Sequence, residues 1–109
     1  MKDKLIFPEF IIGGAPKCGT SSLYFWLSAH PQLVGSPVKE PFFFADDINR
    51  FNRGLNYLEN DLQDYATLFE NGSPQTKSFE STAHYLYYDN AIKGLQELPK
   101  KPKMIFLLR

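Results

Sequence analysis

At 109 residues the chain has room for one small domain with a single core. Twelve Lys and Arg balance twelve Asp and Glu, and a formal net charge of zero gives no basis for a general attraction to nucleic acid or anionic lipid. A single cysteine excludes an internal disulfide and supplies no metal framework. No apolar run approaches membrane-spanning length and no secretory h-region follows Met1, so the expectation is a soluble, cytoplasmic chain without a membrane segment.

After a polar lead from Met1 to Glu9, Phe10-Ile11-Ile12 is a short apolar run ending in glycines, the pattern of a buried parallel strand. From Thr20 the period changes. Leu23, Trp26 and Leu27 fall at i, i+3 and i+4, one face of a helix that Pro31 stops. Between strand and helix lies Gly13-Gly14-Ala15-Pro16-Lys17-Cys18-Gly19-Thr20, and this composition suits an anion. Gly13, Gly14 and Gly19 let the backbone turn tightly and approach a ligand. Free N–H groups at the helix start point into such a loop, and the helix dipole favours negative charge there. Thr20, Ser21 and Ser22 add hydroxyl donors, and Lys17 adds a mobile full charge. The alternative is a plain strand–turn–helix capped by Thr20, with no ligand. Spacing narrows the anion: Gly14 and Gly19 match the start of G-x-x-x-x-G-K-[ST], but Thr20 stands where a nucleoside-triphosphate loop needs lysine. That weakens a P-loop kinase. A dinucleotide fingerprint does not fit these glycines either.

His30-Pro31-Gln32 reads as a turn, with His30 well placed against a helix C-terminus, and Leu33-Val34 begins a second strand. Ser36-Pro37-Val38-Lys39-Glu40-Pro41-Phe42-Phe43-Phe44 then places a lysine–glutamate pair between two prolines and ahead of three aromatics. As the residue before Pro41, Glu40 is expected in extended geometry, its carboxylate against apolar rings that would raise its basicity. The competing expectation is a solvated Lys39–Glu40 pair beside a buried Phe cluster. Asp46 to Asn60 is polar with scattered aromatics and reads as a loop, then a short helix, with Arg50 and Arg53 on a wet rim. Leu62, Tyr65, Ala66 and Phe69 mark a packing helix closed by Asn71-Gly72. A third strand around Phe79 runs into Glu80-Ser81-Thr82-Ala83-His84-Tyr85-Leu86. Tyr88, Ala91, Ile92 and Leu95 mark a further helix, begun at Asp89 or Asn90 and ended by Pro99. Lys103 to Leu108 is a buried-strand pattern that delivers Arg109.

Alternating strands and helices predict a three-layer α/β domain with a mainly parallel sheet, whose ligands gather at the C-terminal ends of the strands. Each stretch singled out above follows a strand, so all would converge on one edge.

Pro16-Lys17-Cys18-Gly19-Thr20-Ser21-Ser22-Leu23 resembles the 5′-phosphosulfate loop of sulfotransferases that use 3′-phosphoadenosine-5′-phosphosulfate (PAPS). Lys39-Glu40-Pro41-Phe42-Phe43-Phe44 is similar to the Lys-Glu-x-His-Phe-Phe segment of the carbohydrate type, with Phe42 in place of the histidine. Glu80-Ser81-Thr82-Ala83-His84-Tyr85 is a partial match to a Glu-Lys-Thr-Pro-Ser-Tyr segment that lines the cleft. The resemblance runs from Phe10 to Arg109 and implies that residues 1–109 are the N-terminal part of one sulfotransferase domain. It implies PAPS binding by Lys17, Cys18, Gly19, Thr20, Ser21 and Ser22, with Arg109 opening the 3′-phosphate motif. Glu40 is implied as general base, with His84 its rival, and Lys17 as the group that neutralises the leaving phosphate. No metal is implied. The implied acceptor is a small-molecule or carbohydrate hydroxyl or amine. The alternative is an inactive or incomplete fragment that only binds the nucleotide.

Overall fold

A computed structural model describes residues 5–45, 55–73 and 75–108. The chain runs β1 (Phe10–Gly14), α1 (Thr20–Ser28), β2 (Leu33–Gly35), α2 (Leu62–Ala66), β3 (Lys77–Ser81), α3 (Asp89–Gln96) and β4 (Lys103–Phe106). Short 3-10 turns at Thr67–Phe69 and Ala83–Tyr87 follow α2 and β3. The four strands form one parallel sheet in the order β2-β3-β1-β4. Phe10 pairs with Phe79 and Ile12 with Ser81 at the centre of the sheet, and β1 runs on past the end of β3 to Gly14.

Alternation along β1 divides the core into two. Ile12 packs with Phe79 and with Tyr24 of α1 on one face. Ile11 joins Phe43, Phe44, Tyr65, Phe69, Tyr85, Ala91, Leu95 and Leu98 on the other. Helices therefore cover both faces, which is the three-layer arrangement expected of a parallel sheet. The second cluster is aromatic: the Phe44 ring lies 4.8 Å from Tyr65, 4.9 Å from Phe43 and 5.8 Å from Tyr85. Gly94 on α3 admits Phe44, because a Cβ there would overlap the ring. Asp61 caps α2 through a reciprocal pair with Asp64, its side chain accepting from the Asp64 N–H at 2.9 Å. No described helix is long and apolar enough to cross a membrane.

The sequence expectations fail at several places, each for a local reason. The helix face expected from Leu23, Trp26 and Leu27 is displaced: α1 buries Thr20 and Tyr24, while Trp26 is 76% exposed. At 3.6 residues per turn Trp26 lies about 200° around the helix from Tyr24, so Leu23 and Leu27 only flank the buried stripe. Among the described residues β4 stands at the sheet edge, with Met104, Phe106 and Leu108 exposed. Met104 and Phe106 line an apolar groove of about 370 Å³ with Leu86, Ile92 and Pro102, and none of the candidate polar residues lines it. Residues 46–54, including Arg50 and Arg53, lie outside the described residues. Residues 55–60 form a turn rather than a helix, organised by Asn56, whose side chain accepts from the Glu59 N–H at 2.9 Å.

Candidate functional site

Because all four strands run the same way, their C-terminal ends share one edge, and the segments after β1, β2 and β3 meet there. The segment after β1 is the anion-type loop. Its base is fixed to the segment after β4: Ala15 N–H donates to the Leu107 carbonyl at 3.0 Å, and Leu107 N–H returns to Gly14 at 2.8 Å. Gly13 and Gly14 do not form the turn. They lie in β1, where a Cβ would crowd Met104 and Leu86, so their smallness serves packing and not ligand approach. The turn is made by Lys17, with φ of 64°, and Gly19, with φ of 92°. Nothing lies within 4 Å of where a Gly19 Cβ would be, so backbone conformation and not crowding requires glycine there.

Gly19, not Thr20, is the N-cap of α1, and no side chain caps the helix. Thr20 is buried in the first turn, Ser21 and Ser22 are exposed, and the first turn has no acidic residue. The helix N–H groups thus face the loop without a competing side-chain acceptor or a repelling carboxylate, the arrangement that receives an oxyanion. Lys17 is exposed on the loop and Cys18 half-buried, its N–H donating to the Ala15 carbonyl at 3.3 Å.

The segment after β2 places Glu40 against the segment after β3. Its carboxylate accepts from the Ala83 N–H at 3.2 Å and from Lys39 Nζ at 3.0 Å, and about a quarter of the side chain is exposed. The extended geometry and apolar surroundings expected for Glu40 are corrected here, and the competing expectation, a Lys39–Glu40 pair beside a buried Phe cluster, is the one the structure matches. The Glu40 φ of 55° is left-handed rather than extended, and Phe42 beyond Pro41 is left-handed too, with φ of 57°. The Glu40 carboxylate meets the Lys39 ammonium and the Ala83 amide, both polar. Among the described residues, Lys17, Glu40 and Phe42 are the non-glycine residues with positive φ. Each such residue costs of the order of 1–2 kcal/mol, so this edge is held in a conformation its own residues disfavour. His84 is close to Glu40 in the fold: the next residue after Ala83, its ring stands 5.4 Å from the Phe42 ring. Its Nδ1 is buried without a hydrogen-bond partner among the described residues. The structure therefore brings Glu40 and His84 together, and sets the Lys17–Ser22 loop on the neighbouring strand of the same edge. Arg109 lies outside the described residues.

Beneath Glu40 is a carboxylate whose role the sequence did not reveal. Glu80 does not line a cleft, as its motif suggested, but is fully buried in β3 along with Ser81, and Thr82 just beyond is buried too. Thr82 Oγ1 donates to its Oε1 at 2.7 Å, while the Tyr65 and Tyr85 hydroxyls donate to Oε2 at 2.5 and 2.9 Å. Burial pushes the Glu80 carboxyl up to about 7, and the nearby Glu40 charge adds to the rise, against the lowering effect of the three hydroxyls. Burial, reinforced by Glu80, likewise holds the Tyr65 and Tyr85 hydroxyls protonated as donors.

No family model matches the chain. It is 33% identical over 103 residues to the bifunctional heparan sulfate N-deacetylase/N-sulfotransferase 4 of Mus musculus, a match covering 93% of this chain and 11% of that protein. To the membrane-associated sulfotransferase kil1 of Dictyostelium discoideum it is 31% identical over 105 residues, covering 96% of this chain and 21% of the relative. Among solved structures, a sulfotransferase from Alicyclobacillus acidocaldarius superposes with a TM-score of 0.75 at 30% identity, covering 92% of this chain and 43% of that one. Over nearly its whole length the chain is similar to sulfotransferases. It spans less than half the length of each relative named above.

The one signal for Glu80 in the sequence was its place between Phe79 and Ser81, inside a strand pattern. A charged residue in a central parallel strand is buried on whichever face it takes. The raised carboxyl has a consequence for stability. Folded Glu80 holds its proton up to about 7, against the ordinary 4.5. Its contribution is therefore complete below 4.5 and is lost as pH rises through about 7. Relative to a Glu80→Gln variant, urea unfolding should show the wild type losing on the order of 3 kcal/mol between pH 5 and 8. A pH-independent difference between the two would contradict the burial assigned to this carboxylate.

Proposed function

We propose that residues 1–109 are the N-terminal, donor-binding part of a single sulfotransferase domain that moves a sulfuryl group from PAPS to a hydroxyl or amine. The observation that carries the proposal is the α1 N-terminus: glycine-turned, free of side-chain caps and acidic residues, and on the same sheet edge as Glu40. The loop fits a 5′-phosphate, with the amides of Gly19–Ser22 and the hydroxyls of Thr20, Ser21 and Ser22 as donors and Cys18 lining the turn. PAPS, when bound, supplies the activated sulfuryl group. Glu40 accepts the proton of the acceptor O–H or N–H as the acceptor atom bonds to sulfur. Lys17 neutralises the oxygen that keeps the electron pair when the S–O bond to the phosphate breaks. His84 is the second candidate base, its buried Nδ1 next to the Phe42 ring. Arg109, just past β4, is a candidate for the 3′-phosphate, since its planar fork suits bidentate contact.

A carbohydrate acceptor is supported by the names of the relatives, which include heparan sulfate enzymes and the human carbohydrate sulfotransferase 15, 39% identical over 66 residues. The test is transfer of ³⁵S from labelled PAPS by the full-length protein to a panel of glycosaminoglycans and amino sugars. Labelled saccharide is the expected result. Tight binding of the nucleotide with no transfer to any acceptor would replace this reading with the binding-only one.

A further inference from the structure

Nothing in the transfer chemistry above uses Glu80, and its position is costly. A carboxylate without exposed surface, met by three neutral hydroxyls and no cation among the described residues, is less favourable than an apolar side chain of similar volume. What it touches leads upward to the site. Thr82 Oγ1 donates to Glu80, and the same oxygen accepts from the Phe42 N–H at 3.5 Å. The next residue, Ala83, donates its N–H to Glu40. Phe42 and Glu40 flank Pro41 and both hold positive φ, so the strained segment is pinned at two points by one short turn, and Glu80 lies beneath that turn.

We propose that Glu80 is a positioning residue for the transfer reaction: through Thr82 and the Ala83 turn it fixes the Glu40 carboxylate. The inference rests on the sulfotransferase reading. The groups facing Glu80 are Tyr65 from α2, Tyr85 from the turn after β3, Thr82 at the end of its own strand, and Glu40, which is itself paired with Lys39. Because Glu80 ionises near 7, its hold on Thr82 Oγ1 tightens across neutral pH, an ionised carboxylate being the stronger acceptor.

The experiment uses the full-length protein with Glu80→Gln, Thr82→Val and the double variant, following kcat, both KM values and affinity for adenosine 3′,5′-bisphosphate from pH 5.5 to 8.5. Glu80→Gln is expected to lower kcat about tenfold or more at pH 8, as removal of a group serving a general base does, with bisphosphate affinity within about twofold. The rise in kcat through pH 7 should disappear. Thr82→Val should reproduce the loss, and the double variant should be no worse than either single one, since the two residues act in series. Should Glu80→Gln not fold, Thr82→Val alone decides by the same kcat and pH criteria. An active wild type whose kcat and pH profile are unchanged in these variants, or whose losses simply add, overturns the inference. A wild type that neither transfers sulfur nor binds the bisphosphate overturns the sulfotransferase reading, and the inference with it.

Discussion

Turnover of the full-length protein should fall by about 10²–10³-fold when Lys17 is replaced by alanine, the scale seen when one preorganised stabiliser of developing charge is removed. Lys17 stands exposed on the loop with φ of 64°, close in sequence to the α1 N-terminus that receives the phosphate. Alanine removes the charge and keeps the Cβ, so backbone strain is unchanged and the loss is chemical. A Lys17→Gly variant separates the two effects. It should be equally inactive yet gain about 1 kcal/mol of stability, because glycine adopts positive φ without the steric penalty. Steady-state kinetics and urea unfolding on the same samples check both statements. Near-normal turnover of Lys17→Ala would remove the lysine from the mechanism.

The largest stability effect is expected at Phe44. Its ring is fully buried, lies between 4.8 and 5.8 Å from the rings of Phe43, Tyr57, Tyr65 and Tyr85, and fills the space left by Gly94. Phe44→Ala should cost about 3–5 kcal/mol, the range for a buried phenylalanine that leaves a cavity. Since Tyr65 and Tyr85 both donate to Glu80, the cavity also loosens the hydroxyls around that carboxylate. Trp26→Ala on α1 is the contrast. The indole is 76% exposed, and its removal should change unfolding free energy by no more than about 0.5 kcal/mol. A reversed order would mean that the aromatic cluster under the sheet is not the main core.

What could be read from the residues alone followed from how local each signal was. β1, the glycine turn and α1 were legible because strand period, glycine and helix period change within a few residues of one another. The convergence of the three segments on one edge followed from parallel topology, which alternating strands and helices already imply. The buried side of α1 was not legible. Over nine residues the apolar positions are too many to define one stripe, and Tyr24 hides its hydroxyl by donating to the Ser36 carbonyl. Nor was the left-handed backbone at Glu40. Proline disfavours helical geometry in the preceding residue, yet the bond from Ala83, 43 positions away, helps to set this one. Glu80 escaped for the same reason, since two of its three hydroxyl partners, Tyr65 and Tyr85, come from other elements.

The central claim is that the amides at the start of α1 hold the 5′-phosphate of a sulfated nucleotide. Calorimetric titration of the full-length protein with adenosine 3′,5′-bisphosphate and, separately, with adenosine 3′-monophosphate tests it most directly. The two ligands differ only in the phosphate assigned to the loop. Saturable one-to-one binding of the bisphosphate is expected, weakened by about 100-fold in the monophosphate, which corresponds to the loss of one or two charge-assisted hydrogen bonds. Equal affinity for the two nucleotides, or no binding of either, would contradict the account.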